Sequence, residues 1–287
     1  MESGAGLRGR ILVVAGEASG DQHAADLLAA VHLQAPGLQF FGMGGRRLLG
    51  AGMETVQEIR HLSVMGFAEV MGSGWRLLAA YRRLRRILER QRPLAVLLVD
   101  FPDFNLPLAR AASRLGIPAI YFISPQIWAW RQGRVKTLVR HVRRVICILP
   151  FEAELYQRHG GRAVYVGHPL MDQVAQVPDA RQSRRRLGVP ESGTVLALIP
   201  GSRRQEVRIL LPEMLAAAER LQQSCSLSAL LLPVAPTLNQ DDVVRAAGGR
   251  VDNTGLKMVP DAFLDVLAAA DIALVASGTS TLAAAVV

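Results

Sequence analysis

Lysine is almost absent from this 287-residue chain. Only Lys136 and Lys257 occur, so arginine carries nearly all of the positive charge behind a formal net charge of +9. Guanidinium groups favour bidentate contact with phosphates, which points to anionic partners. An arginine- and alanine-rich composition spread over solvated faces would give the same count. Cysteine is scarce as well. Cys147 and Cys225 sit among apolar neighbours without metal-ligand spacing, so they read as small core residues in a reducing compartment. No Asp-x-Asp pair, His-Cys cluster or His-x-x-x-His is present, so neither a metal nor a cofactor is expected. Missing too is any uninterrupted apolar run of the roughly 18 residues that a spanning helix needs. The N-terminal run Ile11–Val14 meets Glu17 too soon for a signal peptide, and the chain is expected to be soluble or peripheral.

What is present suits a large α/β protein. Half of the residues are apolar, enough for a sizeable core or two. Ile11–Ala15 reads as a strand, Gly16–Asp21 as a turn, and His23–Gln34 as a helix. This opening lacks the G-x-G-x-x-G spacing of dinucleotide folds, which disfavours hydride chemistry. Leu38–Phe41, Leu94–Val99, Ile117–Ile123, Val145–Leu149 and Ala163–Val166 are further strand-like runs. Leu77, Leu78, Tyr81, Leu84 and Leu88 recur at helical spacing opposite Arg82, Arg83, Arg85, Arg86 and Arg90. Before them, Leu62–Met71 and Trp75 fit either a buried helix or an adaptable flap that meets acyl chains through Val64, Met65, Phe67, Met71 and Trp75. Polar residues and Pro178 mark 172–190 as a linker region between a first domain over 1–171 and a second over 191–287. The second repeats the strand, Gly/Ser loop, helix plan at Val195–Ile199 and Ile272–Ala276.

The first chemical candidate is Asp100, at the carboxyl end of an apolar strand, where ligands gather in open α/β sheets. Asp100 and Asp103 could also cap a helix opened by Pro107. Gly201-Ser202-Arg203 and Ser277-Gly278-Thr279 each precede a helix and offer backbone N–H groups, hydroxyls and, in the first, a guanidinium to a diphosphate. Serine caps are common, so neither is specific alone.

Seven motifs in order resemble those of the lipid-A-disaccharide synthases: Ala15–Asp21, Ser63–Phe67, Asp100–Asn105, Ser124–Arg131, Gly167–Pro169, Pro200–Arg203 and Ala276–Thr279. The resemblance implies a B-type glycosyltransferase with two Rossmann-like α/β domains facing across a cleft. It would join UDP-2,3-diacylglucosamine to 2,3-diacylglucosamine 1-phosphate by an inverting β(1→6) transfer that releases UDP. It further implies Asp100 as the essential aspartate, with Glu17, Ser19, Gly20, Asp103, Asn105, Trp130 and Arg131 on the acceptor side. Gly201, Ser202, Arg203, Ser277, Gly278 and Thr279 would hold the nucleotide. The expected partners are the two sugar lipids, the inner-membrane surface on its cytoplasmic side in a Gram-negative bacterium, and, in the full-length form, a second copy; no specific nucleic acid is expected.

One departure stands out, because Ala283 occupies a position where the family usually has glutamate. The chain also stops inside its last helix, so an incomplete and destabilised second domain with little or no activity is expected. Two rival readings stay open. Another UDP-sugar enzyme of the same architecture, such as an epimerase, would need no flap, and a basic nucleic-acid-binding protein would show steep salt dependence without UDP affinity.

Overall fold

The computed structural model describes residues 8–58, 70–125 and 133–287. Val64, Met65, Phe67, Trp130 and Arg131 lie outside the described residues, as do the side chains of Met71 and Thr279. Two compact units are present, Met1–Pro169 and Leu170–Val287.

The first unit contains strands β1 (Gly9–Ala15), β2 (Leu38–Gly44), β3 (Glu54–Glu58), β4 (Ala95–Val99), β5 (Ala119–Phe122), β6 (Arg144–Cys147) and β7 (Ala163–Tyr165). Its helices are α1 (Ala18–Gln34), α2 (Arg46–Gly50), α3 (Val70–Gln91), α4 (Pro102–Arg114), α5 (Gly133–His141) and α6 (Pro150–Arg158). The strands form one sheet in the order β3-β2-β1-β4-β5-β6-β7, with every neighbouring pair parallel. Successive side chains of a strand face opposite sides, so β1 and β4 each serve two cores. Leu12, Val14, Val96 and Leu98 meet Ala80, Leu84 and Leu88 of α3, Leu108 of α4 and Leu138 of α5. Val13, Ala15, Leu97 and Val99 meet Ala24 and Leu28 of α1 and Leu48 of α2. Covering both faces is why β4 is wholly apolar rather than alternating.

The second unit begins with α7 (Pro169–Val174) and α8 (Ala180–Leu187). It continues through β8 (Thr194–Ile199), α9 (Arg204–Ser224), β9 (Leu227–Val234), α10 (Gln240–Ala247), α11 (Val251–Thr254), β10 (Leu256–Pro260), α12 (Phe263–Ala269), β11 (Ile272–Val275) and α13 (Thr279–Val286). Its parallel sheet runs β10-β9-β8-β11. Leu196 and Leu198 pack on Val207, Leu211 and Leu215 of α9, while Val195, Ala197 and Ile199 pack on Leu187, Val266 and Ala283.

Several sequence expectations need correction. Residues 172–190 are not a linker: Leu170 and Leu187 belong to the second unit's core, and Arg184 is buried within it. The Arg184 guanidinium donates to the carbonyls of Ala269 (2.9 Å), Glu191 (3.0 Å) and Gly193 (3.2 Å) and pairs with Asp271 at 2.7 Å. Polar composition concealed a fixed scaffold because its charge is spent on backbone carbonyls. Helix α1 starts at Ala18, not near His23, so Ser19, Gly20 and Asp21 form its first turn. Helix α4 opens at Pro102, and Pro107 lies inside it.

Candidate active site

In an open parallel sheet, ligands bind at the carboxyl rim where the strand order reverses, because the loops there diverge to opposite faces and leave a crevice. The first unit reverses between β1 and β4. Val14 lies opposite Leu98 and Ala15 opposite Val99, so the loop after β1 and the loop after β4 start side by side. The second unit reverses between β8 and β11. There Val275 lies opposite Ile199, and the Ala276 N–H extends the ladder to the Ile199 carbonyl at 2.8 Å. The described catalytic and nucleotide candidates therefore come from loops and helix openings at two rims, each at a switch point of its own unit, while Trp75 lies apart on α3.

At the first rim the chain leaves β4 through two consecutive left-handed residues, Asp100 (φ 44°) and Phe101 (φ 49°). Ile123, just past neighbouring β5, is left-handed too (φ 61°). Non-glycine residues in this region cost on the order of 1 kcal/mol or more each, and they persist where surrounding contacts over-determine them. Here the contacts are explicit. The Asp100 N–H donates to the Phe122 carbonyl at 3.1 Å. The Asp100 carbonyl accepts from the Asn105 amide at 2.7 Å and the Tyr121 hydroxyl at 2.5 Å. The Phe101 ring stacks on Phe104 and lies over Gly16, where a Cβ would stand only 2.2 Å from a ring carbon. Glycine at 16 is thus the condition for that ring position.

The half-buried Asp100 carboxyl is pushed up to about 6, first by burial and then by the negative charge of Glu17, against the opposing Phe101 N–H. A carboxylate tuned this way is largely ionised at neutral pH yet accepts a proton more readily than an ordinary one, as a general base requires. Glu17 occupies the N-cap position of α1 without a side-chain capping bond, and Ser19 is exposed in the first turn. Gly20 is buried, with its Cβ position 3.6 Å from Val99. Asp21, from the same motif, is structural: it is buried and accepts from the N–H groups of Gly45 (2.6 Å), Arg47 (3.0 Å) and Leu48 (3.3 Å), capping α2. Asp103 is exposed and forms an ion pair with Arg134. Asn105, expected on the acceptor side, is fully buried with its amide spent on backbone carbonyls, so its place is behind the site. His168, of the Gly167-His168-Pro169 motif, lies close enough to His23 of α1 for their charges to interact; burial holds both imidazoles below their ordinary value.

At the second rim, Gly201 adopts φ 112°, and its missing Cβ leaves room for Glu206, whose carboxylate would sit 2.2 Å from such an atom. Glu206 reaches back from the first turn of α9 to the Arg203 N–H at 3.4 Å and the Arg203 guanidinium at 3.2 Å. Ser202 is exposed, and its carbonyl accepts from the Thr237 hydroxyl at 2.8 Å. Gly278 opens α13 beside it, with Ser277 exposed. Two helix N-termini and a guanidinium converging at adjacent strand ends can hold a diphosphate. Arg204, next to Arg203, is exposed and pairs with Asp242 of α10 at 2.8 Å. Ala283 is fully buried in the apolar core.

Sequence reasoning missed Tyr121 and Glu206. Tyr121 hides inside an apolar strand run, and its only signal was a hydroxyl needing a partner once buried. Glu206 sits three residues after Arg203, the spacing at which a carboxylate reaches back to a helix's first N–H.

Paired parallel α/β units of this kind define the B-type glycosyltransferase fold. Solved structures sharing it include a UDP-GlcNAc 2-epimerase from Neisseria meningitidis bound to UDP-GlcNAc, with TM-score 0.60 and 10% identity over 94% of this chain and 78% of that one. CalG4, the calicheamicin glycosyltransferase, is similar with TM-score 0.55 and 17% identity over 97% of this chain and 77% of that one. The sequence narrows the class. Residues 11–287 match the family model for lipid-A-disaccharide synthetase. Lipid-A-disaccharide synthases from Myxococcus xanthus and Nitrosococcus oceani are 45% and 40% identical, covering 96% and 99% of this chain and 71% and 72% of theirs. The chain belongs to the lipid-A-disaccharide synthase family. It is a glycosyltransferase of lipid A biosynthesis that uses a nucleotide sugar, which removes the epimerase and nucleic-acid-binding readings.

Proposed function

We propose that this chain transfers 2,3-diacylglucosamine from UDP to the 6-hydroxyl of 2,3-diacylglucosamine 1-phosphate, with Asp100 as the general base. The observation that carries the reading is Asp100 itself, a carboxylate pushed up to about 6 at the β1/β4 switch point. In the transfer, Asp100 takes the proton of the acceptor hydroxyl as that oxygen attacks the anomeric carbon from the face opposite the diphosphate, and UDP leaves with the bonding pair. The configuration inverts and a β(1→6) linkage forms. Glu17 keeps the Asp100 carboxylate basic, and Ser19 and Asp103 line the acceptor side.

The N–H groups of Gly201, Ser202 and Arg203 and the opening of α13 at Ser277–Thr279 hold the nucleotide. Binding requires Arg203 to turn part of its guanidinium from Glu206 to the diphosphate. The membrane role rests on α3, where Trp75 is 65% and Leu78 45% exposed beside exposed Arg82, Arg83, Arg86 and Arg90. Apolar and cationic groups on one helix suit the surface of an anionic membrane in which both lipid substrates reside. No helix among the described residues is long and apolar enough to cross one.

The test incubates the protein with both sugar lipids and follows disaccharide and UDP. Asp100→Asn should lower turnover roughly 100-fold or more while leaving UDP affinity intact. Near-normal turnover would remove Asp100 from the role of base.

A further inference from the structure

The left-handed backbone at Asp100 and Phe101 needs an explanation, since aspartate visits this region only occasionally, phenylalanine rarely, and two such residues in succession are uncommon. We propose that Tyr121 is a positioning residue for the transfer: with Asn105 it clamps the Asp100 carbonyl and so fixes the carboxylate beside Glu17. The inference rests on Asp100 being the base.

Three observations converge on it. Tyr121 and Asn105 are both fully buried, one from β5 and the other from α4, and both donate to a single acceptor, the Asp100 carbonyl. That carbonyl closes the strained peptide between Asp100 and Phe101, so holding it fixes the backbone from which the carboxylate projects. The Tyr121 hydroxyl also stays protonated at every pH at which the protein works, because burial and the Asp100 charge raise it well above its ordinary value. It remains a donor while Asp100 titrates. The charged or titratable neighbours of the pair are Glu17 at Asp100, and Tyr156 and Arg134 at Tyr121. Neither Tyr121 nor Asn105 contacts substrate in this reading; each acts through Asp100.

A space-filling role for Tyr121 predicts something different. The ring alone would then suffice, and Tyr121→Phe would at most lower stability. If the hydroxyl positions Asp100, Tyr121→Phe frees the carbonyl from one of its two donors, and the strained turn relaxes toward an ordinary strand end. The carboxylate then becomes more solvated and moves away from Glu17.

The experiment measures both consequences in the full chain. Carboxyl titrations by 13C NMR, with Asp100→Asn assigning the resonance, should place Asp100 near 6 in the wild type and clearly lower in Tyr121→Phe. Steady-state kinetics should show kcat reduced on the order of 10- to 100-fold with KM little changed, the scale set by small misplacements of a reacting group. The acid limb of the rate profile should move to lower pH. Asn105→Leu removes the other donor and should give the same signature, so the test survives if Tyr121→Phe folds poorly. An unmoved Asp100 titration with wild-type kcat, or lost stability with an unmoved titration, overturns the proposal. Should Asp100→Asn keep its turnover, the base reading fails separately, and the NMR titration alone then decides the clamp. If both readings hold, Tyr121→Phe adds nothing further to the rate loss of Asp100→Asn.

Discussion

Replacing Asp100 by asparagine should make the protein both slower and more stable, and the size of the second effect follows from the first unit's structure. Burial and Glu17 raise the carboxyl from an ordinary 3.8 to about 6. A group whose folded value lies above its unfolded one favours the fold fully only below about 3.8. That contribution is lost as pH rises through 6, so at neutral pH the ionised Asp100 opposes folding. The difference corresponds to about 3 kcal/mol at its upper limit, and relaxation of the site brings a realistic figure to about 1–3 kcal/mol. Asparagine removes the charge, keeps the shape and is among the few residues at ease in the left-handed region, so it should recover most of that energy. Urea unfolding of wild type and Asp100→Asn at pH 7.5 and pH 4 checks the sign. The variant should be more stable at pH 7.5, and the gap should nearly close at pH 4. A destabilised variant, or a gap that does not change with pH, would refute the claim that Asp100 is held ionised against its surroundings.

Other predictions follow from the same geometry. Turnover should fall as pH drops through about 6 in the wild type, because protonated Asp100 cannot accept the acceptor's proton; a rate profile flat from pH 5 to 7.5 would contradict this. Arg203→Ala should weaken UDP binding by about 1.5–3 kcal/mol by calorimetry, the range for hydrogen bonds to charged groups, and unchanged affinity would exclude the site. Arg184→Ala should cost the second unit about 2–4 kcal/mol in denaturant titration, because three carbonyls and Asp271 lose their donor; a loss under about 1 kcal/mol would mean that water replaces the guanidinium. Gly16→Ala should displace the Phe101 ring and lower turnover together with stability, and a crystal structure with the ring unmoved would show that the loop yields instead.

Local chemistry determined much of this protein. Apolar runs announced β1, β4, β5 and β8, and glycine-bearing turns after them announced a repeated strand, loop, helix plan. The motifs carried the family, and the strand-end position of Asp100 marked it as the first candidate. Those features are legible because strand length, turn chemistry and residue type are written within a few neighbouring positions. Adjacency is not local. Glu17 and Asp100 stand together only because β4 enters the sheet beside β1 across more than eighty residues of chain. The glycine loop after β8 meets that before α13 for the same reason. Nothing in Phe101, and only a weak preference in Asp100, signals two successive left-handed backbones, which exist because Phe122, Tyr121, Asn105 and the bare face of Gly16 hold them. Likewise the resemblance put Asn105 on the acceptor side and polar composition put Arg184 in a linker, yet both are buried, since whether a polar side chain faces a ligand, water or a backbone carbonyl is settled by what packs over it. Local sequence thus determined many of the elements and the family they belong to, while tertiary packing decided the helices within 172–190, which loops share a rim, how basic Asp100 becomes and what keeps it in place.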